Sequence, residues 1–150
     1  MRKIILFGLI MFSSLSIYAQ KQTTPYFEFT YNCVQTDMSY NSERKSWSYE
    51  YENEKDEVFI AIDVKINPRG EDYPKSLIDA LVVDLGYVKT TIGTFKKLYA
   101  AISVGEVDGL YLKKATFSTK SKMYIVSVVG QNDILTHNIY KQLEQTFITK

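Results

Sequence analysis

The chain has 150 residues, a formal net charge of +1, and is 45% hydrophobic and 14% aromatic. That length fits one domain with a sizeable core rather than two, and the composition is too apolar for a disordered chain. One cysteine excludes an internal disulfide, one histidine excludes the His-rich sites of most zinc enzymes, and the balanced charge excludes nucleic-acid binding by electrostatics alone.

The first nineteen residues read as a secretory signal peptide. Arg2 and Lys3 form a short positive region, Ile4 to Phe12 an uncharged apolar stretch, and Ser13, Ser14 and Ser16 lead into Tyr18-Ala19-Gln20. The apolar stretch is short for a bilayer span, which takes about 20 residues. Cleavage after Ala19 leaves a single domain over 20–150, located in the periplasm or outside the cell, with no membrane span. It also removes two basic residues and no acid, so 16 Lys and Arg remain against 17 Asp and Glu, a net charge of about −1. In an oxidising compartment Cys33 is a lone thiol. It falls in step with Phe27, Phe29 and Tyr31, which favours burial as a small hydrophobe over a reactive role.

Gln20 to Pro25 reads as a polar tail. Phe27, Phe29, Tyr31 and Cys33 then alternate with Glu28, Thr30 and Asn32, the period-two pattern of a strand with one buried face. Asp37 to Lys45 breaks that pattern. Trp47, Tyr49 and Tyr51 alternate with polar residues as a second strand, and Asn53 to Asp56 is a turn. Val58, Ile60, Ile62, Val64 and Ile66 form the clearest strand and the expected centre of the sheet. Asn67 to Asp72 is a loop. Leu77, Leu81 and Leu85 recur every four residues, with Pro74 at one end and Gly86 at the other, which predicts a helix over Pro74 to Leu85. After Gly93 alternation resumes at Leu98, Ala100, Ile102 and Val104, with Gly105 to Gly109 as a tight connection. Leu110 to Phe117 and Lys122 to Val129 form a hairpin around Ser118 to Ser121. Asn132 or Asp133 caps a closing helix with Leu135, Ile139, Leu143 and Phe147 on its buried stripe. The expected class is α+β: an antiparallel sheet of about six strands with two helices, in the order β-β-β-α-β-β-β-α.

Little catalytic chemistry is legible. The nucleophile-elbow, zinc-protease, phosphate-loop and Cys-x-x-Cys patterns do not occur. His137 lies about 160° around the closing helix from Ile139, on the solvated face. Glu106 and Asp108 are too few to supply a calcium site. Glu50, Glu52, Glu54, Asp56 and Glu57 form an acidic patch best read as a solvated edge. Lys113, Lys114, Lys120 and Lys122, with Lys96 and Lys97, read first as edge protection and second as a surface for an anionic partner. No cofactor or metal is expected.

Tyrosine is abundant. Trp47, Tyr49 and Tyr51 share one strand face: covered, they are core; uncovered, they form an aromatic strip that binds a partner. Three stretches of the chain resemble the PsbP-like family: Tyr73 to Ala80, Ala115-Thr116-Phe117 with Tyr124 to Val128, and the closing helix ending in Gln145-Thr146-Phe147. The resemblance implies an α/β/α sandwich, a central antiparallel sheet with helices on both sides, and a non-catalytic role in binding other proteins or assemblies. The expected function is therefore an exported non-enzymatic domain that binds a protein partner or serves as an assembly factor in the cell envelope. The alternative is a small ligand-binding carrier or hydrolase using a pocket between sheet and helix, with Asp63 facing away from the Val/Ile row as its marker carboxylate.

Overall fold

The computed structural model describes residues 19–150; the signal peptide expected over 1–19 lies outside them apart from Ala19. Three short strands form one small sheet: β1 (Lys21–Thr23), β2 (Phe27–Thr30) and β11 (Ile148–Thr149), with β2 in the middle. The main sheet has eight antiparallel strands. β3 (Val34–Asn41), β4 (Ser46–Asn53) and β5 (Val58–Ile66) form one meander. β6 (Val83–Asp84), β7 (Val88–Phe95), β8 (Leu98–Val107), β9 (Leu110–Thr119) and β10 (Lys122–Gly130) form the other. The two meet where β10 pairs with β5, register Val126↔Ile62. The helices are α1 (Lys75–Asp79) and α2 (Asp133–Thr146).

The period-two pattern decides the sheet's inner face. Val58, Ile60, Ile62 and Val64 of β5 lie beside Tyr124, Val126 and Val128 of β10, and these beside Ala115 and Phe117 of β9. All are buried, together with Tyr49 and Tyr51 of β4, which lie opposite Ile62 and Ile60. Helix α2 and β2 cover this face. Asn132 caps α2 by accepting from the Leu135 N–H at 2.9 Å, and Ile139, Tyr140 and Leu143 point inward. Gly130 lets the helix approach: a Cβ there would sit 2.6 Å from Thr136 Oγ1. Phe27 and Phe29 enter from β2, and Phe147 follows α2 into the same cluster.

The expected α+β class is overturned: the described residues are mostly β, with eight strands in the main sheet and three in the second. Helices do not flank both sides of the sheet as the PsbP-like resemblance implied, since α1 has only five residues. The leucine spacing misleads there. The helix stops at Ala80, Leu81 and Val82 close turns onto Ile78 and Asp79, and Val83 and Asp84 pair with Thr90 and Lys89. Gly86, at φ +80, sits in the β6–β7 turn, where the Leu85 N–H donates to the Val88 carbonyl. β-branched Val82 and Val83 favour that extended exit. The expected polar tail holds β1. β3, expected as a break, is a strand whose eight residues are all exposed, so no buried face imposes alternation. β7 is threonine-rich and was also unpredicted, and β8 runs through Gly105 to Val107, so the tight turn is Asp108-Gly109, both at positive φ.

Ile62 is fully buried in the middle of the β-branched face. Ile62→Asp places an unpaired charge there at a cost of several kcal/mol, comparable with the whole stability of a domain. The variant is expected to be unfolded at 25 °C by circular dichroism; an unchanged melting midpoint would show that β5 is not central.

Candidate functional site

The aromatic strip is core. Tyr49 is 2% and Tyr51 0% exposed, and their rings meet Phe27 and Phe29 edge-on with centroids 5.2 and 5.1 Å apart. Trp47 is half-buried between Tyr40 and Tyr26. A covered aromatic face offers a partner little, and Tyr51 and Tyr140 bury hydroxyls that have no hydrogen-bond partner among the described residues.

The remaining sequence candidates are scattered. His137 is exposed on α2, in the expected phase. Cys33 is buried, and desolvation pushes its thiol up to about 12. Tyr31 donates to Asp56 Oδ2 at 2.8 Å, and the Asn53 amide donates to the same oxygen, so part of the acidic patch serves to close a turn. No group of three or more His, Cys, Asp or Glu among the described residues is arranged to hold a metal. Asp63 accepts from the Ser48 hydroxyl at 2.5 Å on the polar half of the outer face. The lysine cluster divides: Lys113 and Lys114 are consecutive in β9 and point to opposite faces, while Lys122 donates to the Lys150 carbonyl.

The sheet's outer face is where a site forms. After α1, residues 80–86 lead to the sheet edge, where β6 pairs with β7, and a recess of about 340 Å³ lies between this strap and the outer face of β7 to β10. Leu81, Val83 and Leu85 form one wall and Val88, Ala101, Met123 and Ile125 much of the floor. Thr90, Ser103 and Lys114 cross the floor in a single row over β7, β8 and β9, in registers Thr90↔Ser103 and Ser103↔Lys114. The Thr90 and Ser103 hydroxyls lie 2.8 Å apart and are buried. Thr116 completes the polar lining. Other hollows lie beside the 53–57 turn, beside Cys33 and Val34, between α1 and the end of β9, and at the C-terminus among Phe95, Leu98, Phe117, Phe147 and Ile148; none of them carries a row of hydroxyls and an ammonium like that of the recess.

Ile78 anchors the strap. It is buried against the sheet, Lys75 stands 4.8 Å over the Tyr99 ring, and the Tyr99 hydroxyl donates to Asp79. Beyond that anchor the chain leaves apolar surface open: Leu81 is 41%, Val83 42% and Leu85 52% exposed although all three line the recess. The leucine spacing puts Leu81 and Leu85 on a helix stripe, with Val83 inside the same expected helix, and gives Thr90 no element. The signals that mark them are the β-branched Val82-Val83 pair and the alternation of Val88, Thr90, Ile92 and Thr94.

No helix among the described residues is long and apolar enough to cross a membrane. Compared with known families and with curated proteins, the chain matches no family model and no curated sequence.

Burial also raises the pKa of Tyr31, Tyr51 and Tyr140, and raises that of Tyr124 to about 12. These groups and Cys33 keep their protons in the folded chain at pH values where the unfolded chain gives them up. Their contribution is therefore complete below about pH 9 and is lost as pH rises above it, by up to about 1.4 kcal/mol per pH unit for each group. The melting midpoint is expected to fall steeply between about pH 9 and 11, and Cys33 to react with a thiol reagent at about pH 8 only after denaturation. A flat alkaline profile would place these groups in water.

Proposed function

We propose that this protein is an exported, non-catalytic binding module that holds an apolar molecule in the recess between the 80–86 strap and the outer face of the sheet. One observation carries this reading. Leu81, Val83 and Leu85 leave apolar surface open around a concave floor that already contains three hydroxyls and one ammonium. Concave, largely apolar sites with a few convergent polar groups are the usual form of a small-molecule site, and 340 Å³ lies near the lower end of their range of about 300–1,000 Å³. Export rests on Arg2, Lys3 and the Ile4 to Phe12 stretch. A hydrolase reading has less support, because the only carboxylate singled out for it, Asp63, is engaged with Ser48 and does not line the recess.

A second reading, a protein partner or an assembly role in the envelope, draws on the edge strand β3. Its outer edge is unpaired in the sheet order, and Met38 and Tyr40 are about half exposed there. Such an edge accepts an added strand. The bulge between Gln35 and Asp37 and the charge of Asp37 blunt it, so the recess takes precedence.

The neutral dye N-phenyl-1-naphthylamine is expected to bind the purified protein and gain fluorescence. Leu85→Asp, at an exposed position where folding tolerates charge, and Ala101→Phe, which fills the floor, should each weaken binding at least tenfold with Leu85→Asp leaving the melting midpoint in place. Absence of dye binding, or affinity unmoved in both variants, would overturn the recess as the site.

A further inference from the structure

We infer that the recess takes a single-chain amphiphile with an anionic head, of the fatty-carboxylate class, its head on Lys114 and its chain beneath Leu81 and Leu85. The inference rests on the reading of the recess as a binding site and adds the chemistry of what fills it. Lys114 is half-buried and lines the recess. Its neighbours across the ladder are Ser127 and Ser103, and those on the same face of its own strand are Leu112 and Thr116. None is acidic. The ion pairs among the described residues use Lys21, Lys89, Lys141 and Lys150, and Lys114 is in none of them. The acids of this face across the ladder are Asp63, two strands over and one step along at about 12 Å and engaged with Ser48, and Glu50, three strands over across Ser127 and Ala61 at about 14 Å.

An ammonium drawn partly out of water without a counter-charge is costly, and an anion supplied by a ligand offsets that cost. The adjoining hydroxyls supply a second contact. Within the Thr90–Ser103 pair one hydroxyl donates to the other, which leaves the acceptor's own proton for a further partner. A carboxylate has only acceptors, and two oxygens, so it matches an ammonium with a spare hydroxyl proton beside it. Ala101 and Ile125 border this polar row, with Met123 one step beyond Ile125, and together they give a chain apolar surface to lie against. The volume, near the lower end for ligand sites, suits one chain rather than a two-chain lipid.

The test compares dodecanoate, dodecanol and dodecyltrimethylammonium, each below its micelle threshold, by calorimetry on the purified protein at low salt and about pH 8, where the fatty carboxylate is ionised. Dodecanoate is expected to bind at least tenfold more tightly than dodecanol, the cation most weakly, and added salt should shrink the margin. Lys114→Met should bring the carboxylate-to-alcohol ratio close to one, and Lys114→Arg should preserve it. Should Lys114→Met fail to fold, Lys114→Gln serves the same comparison. Equal affinity for dodecanoate and dodecanol, tighter binding of the cation, or a preference retained without the lysine charge would overturn the inference while leaving the recess as an apolar site. If none of the three binds, the recess reading falls as well.

Discussion

The packing of Phe147 holds β2 and the C-terminal residues to the sheet. Its ring lies 5.4 Å from Phe27, 5.6 Å from Phe95, and 6.0 Å from both Phe117 and Tyr124, so it touches β2, the end of β7, β9 and β10 at once. Three of those contacts are edge-on and the Phe27 contact is stacked, geometries worth about 0.5–1.5 kcal/mol each beyond the area they bury. The backbone follows the ring. The Phe147 N–H donates to the Leu143 carbonyl at the end of α2, Ile148 and Thr149 pair with Glu28 and Phe27, and the Lys150 N–H donates to the Tyr26 carbonyl. Lys21 and Lys150 both pair with Glu28 and hold its carboxyl below the usual range. β11 joins β1 and β2 in the small sheet because this ring fixes the last residues of the chain against β2.

That arrangement leaves the sheet asymmetric. The inner face has α2, β2 and a cluster of aromatic rings to cover it. Among the described residues the outer face has only α1 and the strap, which reach β7 to β10 and stop short of β3 to β5. Over β3 to β5 the outer residues are largely polar, as at Asp37, Ser39, Ser48, Glu50 and Asp63, and water suffices. Under the strap Ala101, Thr90, Ser103 and Thr116 are buried, yet the strap's own apolar side chains are left half open. The recess follows from a helix too short to cover what the sheet presents. Gly105 contributes to its shape, because a Cβ there would meet the Tyr87 carbonyl at 2.2 Å, so β7 and β8 close at that point only around glycine.

Several turns carry residues at costly angles. Lys96-Lys97 and Lys120-Ser121 are two-residue hairpin connections with both residues at positive φ, where asparagine and glycine are the usual occupants. Lys96 has a local reason: its ammonium donates to the Phe147 carbonyl at 2.5 Å. At Lys120-Ser121 the Ser121 N–H donates to Asp72, which ties the hairpin to the loop that leads into α1. The first connection thus holds β7 and β8 to the C-terminal residues, and the second holds β9 and β10 to the outer-face segment.

Alternation and apolar spacing in the sequence determined the strands with one buried face, β4, β5, β8, β9 and β10, and the closing helix with a cap at Asn132 or Asp133, of which the structure uses Asn132. They also placed Phe27, Phe29, Tyr31 and Cys33 on one buried side and His137 in water, because a half-buried strand or helix must repeat its apolar residues at the period of its backbone. β3 and β6 escaped that reading because edge strands with exposed faces carry no such constraint, β1 because its three mostly exposed residues show no buried face, and β11 because its two residues pair only once Phe147 brings them against β2. The Leu77, Leu81 and Leu85 spacing satisfied the helical period and still yielded five residues of helix, since Val83 and Asp84 pair with β7 instead. Whether Tyr49 and Tyr51 were core or surface, and which way each lysine of the basic run faced, was decided only when the sheet acquired a covered and an uncovered side. The position of Lys114 beside Ser103 and Thr90 likewise depends on the register of three strands, which is tertiary information that no local pattern contains.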